Sequence, residues 1–296
     1  MISNSLVRCA PPVLSNNRTM IAFISYENNY YNLYIVDTDG KNQKLLSSAK
    51  QFCGSPAWSP DDKTVVFVKK DNNVADNYHI YSVNISGSNE VKLTTENDNS
   101  SPQYFSNGNS IVYTSSNSTL TGIYKMNIDG SGNRLLSPRN KSFGSPVISP
   151  DGNKIAINSI DWKGSQIFVM NADGSNLNQI TFTVSPDYYD TGYPRDGNYN
   201  PVWSPNSKKI AYVSYANGTP DIFLINSNGT GDRRLTDTPL RDEDPSWTRD
   251  GNYILFSSNR NLAVSSEIYI MKSQGQLQTP LTNYIADDIY PTFIER

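Results

Sequence analysis

Charge of either sign is scarce in this 296-residue chain. Asp, Glu, Lys and Arg make up 18% of it, and 28 acids against 25 bases leave a net charge of −3. Such a surface has no basic field to condense on nucleic acid or on an acidic membrane face, so neither partner is expected. Histidine is scarcer still. The single copy, His79, excludes a His-based metal cluster, and no nucleophile-elbow sequence suggests a Ser-His-Asp triad. Beside the apolar run Ile80 to Val83, His79 reads as a surface residue. Cysteine occurs twice, as Cys9 and Cys53, too few for a disulfide scaffold and at no zinc-binding spacing. A bridge between them needs Cα atoms within about 7 Å, and two free thiols are the simpler expectation. No apolar run reaches the roughly 18 residues that span a bilayer. The opening Met1 to Pro12 lacks the apolar centre of a signal peptide, so the chain is either cytosolic or begins after a removed leader.

What the sequence does hold is a repeat. Pro56-Ala57-Trp58-Ser59-Pro60-Asp61 recurs as Pro201-Val202-Trp203-Ser204-Pro205-Asn206, as Pro146-Val147-Ile148-Ser149-Pro150-Asp151 and as Pro245-Ser246-Trp247-Thr248-Arg249-Asp250. Weaker copies begin at Pro12 and Pro102, and a surplus seventh at Pro291. The steps between these prolines are 44, 46, 44, 55, 44 and 46 residues, a period that belongs to propellers or helical solenoids.

The strand chemistry inside each unit decides between them. Nine residues after each of the first six prolines comes a short apolar run, such as Val65-Val66-Phe67-Val68 or Ile210-Ala211-Tyr212-Val213. A third run follows, such as Ile80-Tyr81-Ser82-Val83 or Ile222-Phe223-Leu224-Ile225, and then a corner closed by Gly40, Gly87, Gly130, Gly174, Gly229 or Gly275. A fourth short strand ends the unit, as in Arg234-Leu235-Thr236. Runs this short are strands, and Gly and Asn supply the positive φ that hairpin corners need. One four-stranded sheet cannot bury both its faces, whereas radial stacking covers each with the next. The residues two beyond the prolines (Leu14, Trp58, Tyr104, Ile148, Trp203, Trp247) are placed to fill the wedges. The expectation is an all-β, six-bladed β-propeller of four-stranded antiparallel blades. The chain is then one domain, 1–296, with blades near 9–54, 55–100, 101–144, 145–199, 200–243 and 244–287, and a closing strand at 288–294.

The pattern Pro-x-Trp-Ser-Pro-Asp-Gly-x-x-Ile-Ala-Phe, followed by Ile-Tyr-x-Met-Asn-x-Asp-Gly and Arg-Leu-Thr, resembles the WD-like repeats of the TolB propeller family over essentially the whole chain. TolB proteins also carry an α/β domain for which this chain has no room, so a propeller alone is expected. The resemblance implies a non-enzymatic binding scaffold of the cell envelope, periplasmic or extracellular, with a protein or peptide partner. In such propellers the C-terminal copy often pairs with the first blade and closes the circle. The copy at Pro291 competes with the one at Pro12 for that place.

Candidate sites follow from departures in the repeat and from its geometry. One insertion stands out, 182–200, with Tyr188, Tyr189, Asp190, Tyr193, Arg195 and Asp196. Loops on rigid scaffolds carry function, and Tyr and Arg are favoured interface anchors, so these six are assigned to partner contact, against a tolerated surface insertion. Three residues before the motif prolines stand Cys53, Asn99, Asn198, Asp242 and Asp288, with Cys9 and Phe143. Repeat geometry places them at one mouth of a central channel, where they either face a ligand or satisfy the ends of inner strands. Corners such as Asp37-Thr38-Asp39-Gly40 mimic the start of a calcium loop but lack its later ligands, so no metal or cofactor is expected. No membrane insertion is expected, and a monomer is. Two rival readings remain: a carbohydrate-active lyase or hydrolase, though the several metal-binding histidines of propeller lyases are missing, and an extracellular sensor domain of a larger protein.

Overall fold

A computed structural model describes residues 12–50, 52–70, 77–160, 164–182, 197–261 and 266–282. Among them strands are the only regular elements. The first sheet is β1 (Val13–Leu14), β2 (Met20–Glu27), β3 (Tyr30–Asp37) and β4 (Lys44–Ala49); the second is β5 (Cys53–Trp58), β6 (Thr64–Lys70), β7 (Tyr78–Asn84) and β8 (Val91–Lys92). The third holds β9 (Asp98–Tyr104), β10 (Ser110–Ser116), β11 (Thr121–Asn127) and β12 (Arg134–Leu135), and the fourth β13 (Ser142–Ile148), β14 (Lys154–Ile160), β15 (Ile167–Asn171) and β16 (Asn178–Gln179). The fifth is β17 (Asn198–Trp203), β18 (Lys209–Ser214), β19 (Asp221–Asn226) and β20 (Arg233–Arg234); the sixth is β21 (Asp242–Trp247), β22 (Tyr253–Ser258), β23 (Glu267–Lys272) and β24 (Thr279–Pro280). Each sheet is ordered as its strands come in the chain. These are the six four-stranded blades, all-β, that the repeat demands. The described residues fall into two compact units, one with the first two sheets, the other with the last three, and the third sheet is divided between them. The expected closing strand, 288–294, lies outside the described residues.

The motif proline sits at a kink in the first strand of the second to sixth sheets. Register shifts between Gly54 and Ala57, between Gly144 and Val147, between Tyr199 and Val202 and between Glu243 and Ser246. The residue before the proline takes a left-handed φ of 50° at Ser55, 51° at Ser101, 52° at Ser145, 50° at Asn200 and 53° at Asp244. This is a β-bulge on an edge strand, the one place in a sheet where a residue without an N–H is tolerated. Pairing continues on the N-terminal side of the bulge. Each of these five strands therefore starts two or three residues before the blade boundary read from the proline repeat.

Alternation along the second strand shows how a thin sheet hides two faces. In β18, Ile210 and Tyr212 pack with Ala156, Ile167, Val169 and Trp203, while Ala211 and Val213 pack with Ile254, Phe256, Tyr269 and Met271. All four β18 residues are fully buried, as a strand covered on both sides must be. The tryptophans two beyond the prolines fix the wedge. The indole Nε1 of Trp58 donates to the Val13 carbonyl at 2.8 Å, that of Trp203 to Val147 at 2.9 Å, and that of Trp247 to Val202 at 3.2 Å, each reaching the first strand of the preceding sheet. Trp203→Phe keeps most of the apolar contact but leaves the Val147 carbonyl unpaired. Its urea midpoint should correspond to a loss of about 1–3 kcal/mol, whereas Trp203→Ala should lose about 3–5 kcal/mol.

Candidate functional site

A hydrogen-bonding gap at one end of five of the six sheets places the polar candidates. The fourth strand is only two residues long in five of the six sheets, so the first apolar residue of strand three finds no strand-four carbonyl at its level. A hydroxyl fourteen residues on takes the N–H instead: Ile80 to Thr94 (2.9 Å), Ile123 to Ser137 (3.1 Å), Ile167 to Thr181 (2.9 Å), Ile222 to Thr236 (3.0 Å) and Ile268 to Thr282 (2.9 Å). In the last three sheets that hydroxyl donates onward to the residue just before the isoleucine, Gln166 (3.0 Å), Asp221 (3.2 Å) or Glu267 (2.5 Å). His79 holds the same position in the second sheet. It is 2% exposed, which corrects the expectation of a surface histidine.

The residues three before the prolines join this layer. Asn198 is fully buried and donates to Gln166 Oε1 at 2.9 Å. Asn99 spends its amide on the carbonyls of Tyr78 (3.1 Å), Glu96 (2.8 Å) and Asn97 (2.9 Å). Cys53 is a free thiol at 1% exposure, and burial pushes it up to about 12, so it is no nucleophile at neutral pH. Cys9, Asp288, Tyr188, Tyr189, Asp190, Tyr193, Arg195 and Asp196 lie outside the described residues.

Asp242 belongs to a buried charge cluster in the fifth and sixth sheets. It is fully buried, and one Arg260 nitrogen reaches both its oxygens at 2.9 and 3.0 Å. Thr238 adds a hydroxyl at 3.1 Å. Arg260 also donates to Gln278 at 2.6 Å and lies over the rings of Tyr269 (4.6 Å) and Phe256 (5.2 Å). Beside it Asp221, also fully buried, takes Arg234 Nη2 at 2.6 Å, and Arg234 Nη1 reaches the exposed Asp237 at 2.6 Å. Desolvation pushes the Asp221 carboxyl up to about 6; Arg234 works against that, and the charge of Asp242 adds to it. The repeat pointed to Asp242 but not to Asp221, for which one signal was available: Asp221 and Glu267 recur at the slot before the isoleucine.

A different kind of surface lies in the unit of the first two sheets. A cavity of about 420 Å³ opens along β1, β5 and β9, lined among others by Asn16, the bulge residues Ser55 and Ser101, Pro56, Pro102 and Gln103. Trp58 and Tyr104 complete its wall, with the Tyr104 hydroxyl 3.0 Å from Thr64 Oγ1. Its lining is neutral: amide, hydroxyl, proline ring and aromatic. Among the described residues no group of three or more His, Cys, Asp and Glu is placed to hold a metal.

A family model described as the TolB beta propeller domain matches residues 1–188 and 191–291. The chain belongs to that family. Among relatives of the TolB propeller, an uncharacterised protein of Agrobacterium fabrum is 28% identical over 192 residues, 62% of this chain and 61% of its own. The Tol-Pal system protein TolB of Francisella tularensis is 27% identical over 233 residues, 75% of this chain and 51% of its own. The chain thus spans less than two thirds of the length of these relatives. Crystallised TolB from Acinetobacter baumannii superposes with a TM-score of 0.64 at 22% identity, covering 91% of this chain and 65% of that one. An oligogalacturonate lyase from Vibrio parahaemolyticus does so at 0.68 and 14% identity, covering 90% and 75%. At these identities the superpositions show the fold alone.

The raised Asp221 gives a pH signature. A carboxyl protonated more readily in the folded than in the unfolded state is neutral at no cost below about pH 4, its unfolded range. Its unfavourable charging then grows until pH passes the folded value near 6. Asp221 therefore contributes a fall in stability as pH rises from about 4 to 6. Urea midpoints measured across that window should lose this component in Asp221→Asn, and an unchanged profile would show that Arg234 cancels the desolvation.

Proposed function

We propose that this chain is a non-enzymatic binding scaffold of the cell envelope, periplasmic or extracellular, that takes a protein or peptide partner. The observation that carries the reading is the neutral cavity along the first strands, in a chain that belongs to the TolB propeller family. Its walls offer hydrogen-bonding edges and flat apolar rings, which suit a peptide, and no general acid or base. The buried charge cluster supports the same reading. Asp221 and Asp242 are sealed from solvent, and each is clasped by its own arginine, whereas a carboxylate pair that cleaves glycosides needs both groups open to the sugar. In the insertion, Tyr188, Tyr189, Asp190, Tyr193, Arg195 and Asp196 carry the chemistry of a second contact. We take the chain as a single propeller domain acting as a monomer.

The Francisella relative is named for a Tol-Pal system, so a purified Pal protein is the first probe. Calorimetric titration should give saturable one-to-one binding, weakened roughly tenfold or more by Gln103→Trp, which fills the cavity, with the Tm unchanged. Binding indifferent to Gln103→Trp would remove the cavity from the interface. Turnover of any member of a glycan panel, lost in Asp242→Asn, would replace the reading with the enzymatic one.

A further inference from the structure

A run of aromatic rings crosses from the first sheet to the second. Tyr26 and Tyr31 are cross-strand partners in the first hairpin, with centroids 4.7 Å apart. Tyr31 lies 5.8 Å from Phe52, and Phe52 lies 5.3 Å from Tyr78. The run thus passes from β2 and β3 to the entrance of β5 and on to β7, crossing from one sheet to the next. Tyr26 is 56% exposed and Tyr30, next to Tyr31, is 37% exposed. At one end the Lys50 ammonium lies over Tyr30 (5.9 Å), at the other Lys70 lies over Tyr78 (5.4 Å). Near the tip of the hairpin the Glu27 carboxylate accepts the Ser25 hydroxyl at 2.5 Å.

Repeat equivalence shows that a blade does not require an aromatic ring at these places, although Tyr31 also packs against the core of the first two sheets. Tyr31 and Tyr78 stand one residue before the buried polar slot of Asn32 and His79; the other sheets have Thr121, Ser165, Pro220 and Ser266 there. Phe52 stands just before Cys53, where the later sheets have Asp98, Ser142, Gly197 and Arg241. Backbone contacts nonetheless hold the rings in place. Lys70 N–H donates to the Phe52 carbonyl at 3.0 Å, and Tyr78 N–H to Asp98 Oδ1 at 2.9 Å. The Phe52 ring lies on the bare backbone of Gly54, where a Cβ would meet its Cζ at 2.6 Å.

We infer that this aromatic run binds an extended, proline-rich peptide segment bearing acidic residues. The inference deepens the scaffold reading by naming a partner chemistry, at a surface that shares no lining residue with the cavity. Successive rings are turned 47°, 43° and 83° from one another, which makes notches between them rather than a flat platform. Notches of this kind take the proline rings of a polyproline II helix, a shape already ordered before binding. Two centroid steps are on the scale of its turn of about 9 Å. Tyrosine hydroxyls at the ring edges match its unpaired carbonyls, and the two flanking ammoniums match carboxylates.

The test is calorimetric titration of the whole chain with a synthetic peptide of Glu-Pro-Pro repeats, with Lys-Pro-Pro repeats and a neutral oligosaccharide as comparators. Saturable binding of the Glu peptide alone is expected. Phe52→Ala should weaken it roughly tenfold. Gly54→Ala should weaken it comparably although every ring is kept, because the added methyl displaces Phe52. Lys70→Gln should flatten its salt dependence. Equal binding of the Lys peptide, preference for the oligosaccharide, no saturable binding, or unchanged affinity in variants of unchanged Tm would each overturn the inference. Gln103→Trp should leave this binding intact, so failure at the cavity and failure at the aromatic run are told apart.

Discussion

The tryptophan that reaches back to the preceding sheet ties the sequence period to the architecture. A sheet four strands wide with two-residue edge strands has no helix layer to lean on, so its second face is buried only by the next copy of itself. The indole N–H fixes that neighbour in register, because a carbonyl bound from across the wedge holds one sheet at one height against the other. Partners are 45 residues apart for Trp58 and Trp247 and 56 apart for Trp203. The bond is 2.9 Å long in the extended case, so the longer fourth unit leaves the wedge contact unaltered.

Short outer strands have a second consequence. They protect sheet edges from pairing with other chains, but leave the first N–H groups of strand three unpaired. In the second to sixth blades the fourteen-residue return to a Thr or Ser hydroxyl pairs that group, and in the last three the hydroxyl's own proton finds an acceptor just before the isoleucine. Gln166, Asp221 and Glu267 are those acceptors. Asp221 is buried for this purpose and Asp242 beside it as the acceptor of Thr238, and each needs a cation, because an uncompensated buried carboxylate costs several kcal/mol. Arg234 and Arg260 follow from the hydrogen-bond layer. Nothing in their placement points to a substrate.

The architecture was legible because it is written six times. A period of 44 to 46 residues, runs of period two and glycine at each corner overdetermine four-stranded blades, and one weak copy such as Pro102-Gln103-Tyr104 does no harm. The bulge was not legible. Ser55, Asn200 and Asp244 are ordinary strand-edge residues in a pattern, and only coordinates reveal their positive φ. The buried polar layer was legible in principle, through the constant spacing from Ile80 to Thr94 and from Ile222 to Thr236. What hides it is that polar residues flanking apolar runs look like loop. The site residues were the least legible, since repeats announce what is shared, and binding surfaces lie in what is not.

The first hairpin shows how such a difference arises. Asn28 and Asn29 both take positive φ, 52° and 65°, the two-residue turn whose twist suits right-handed strands. It lets β2 and β3 run eight residues each, against six for β18 and β19. The added length carries the hairpin past the buried polar slot at Asn32, and on that extension stand Tyr26 and Tyr31. The core already closes below them, at Leu33 and Ala22. Beyond that level Tyr26 is exposed, while Tyr31 still packs against the edge of the core. At the outward place of Tyr26 the other blades carry Lys70, Ser116, Ile160, Tyr215 and Asn259, so packing does not fix the residue there, and that is where one blade is free to differ from the next.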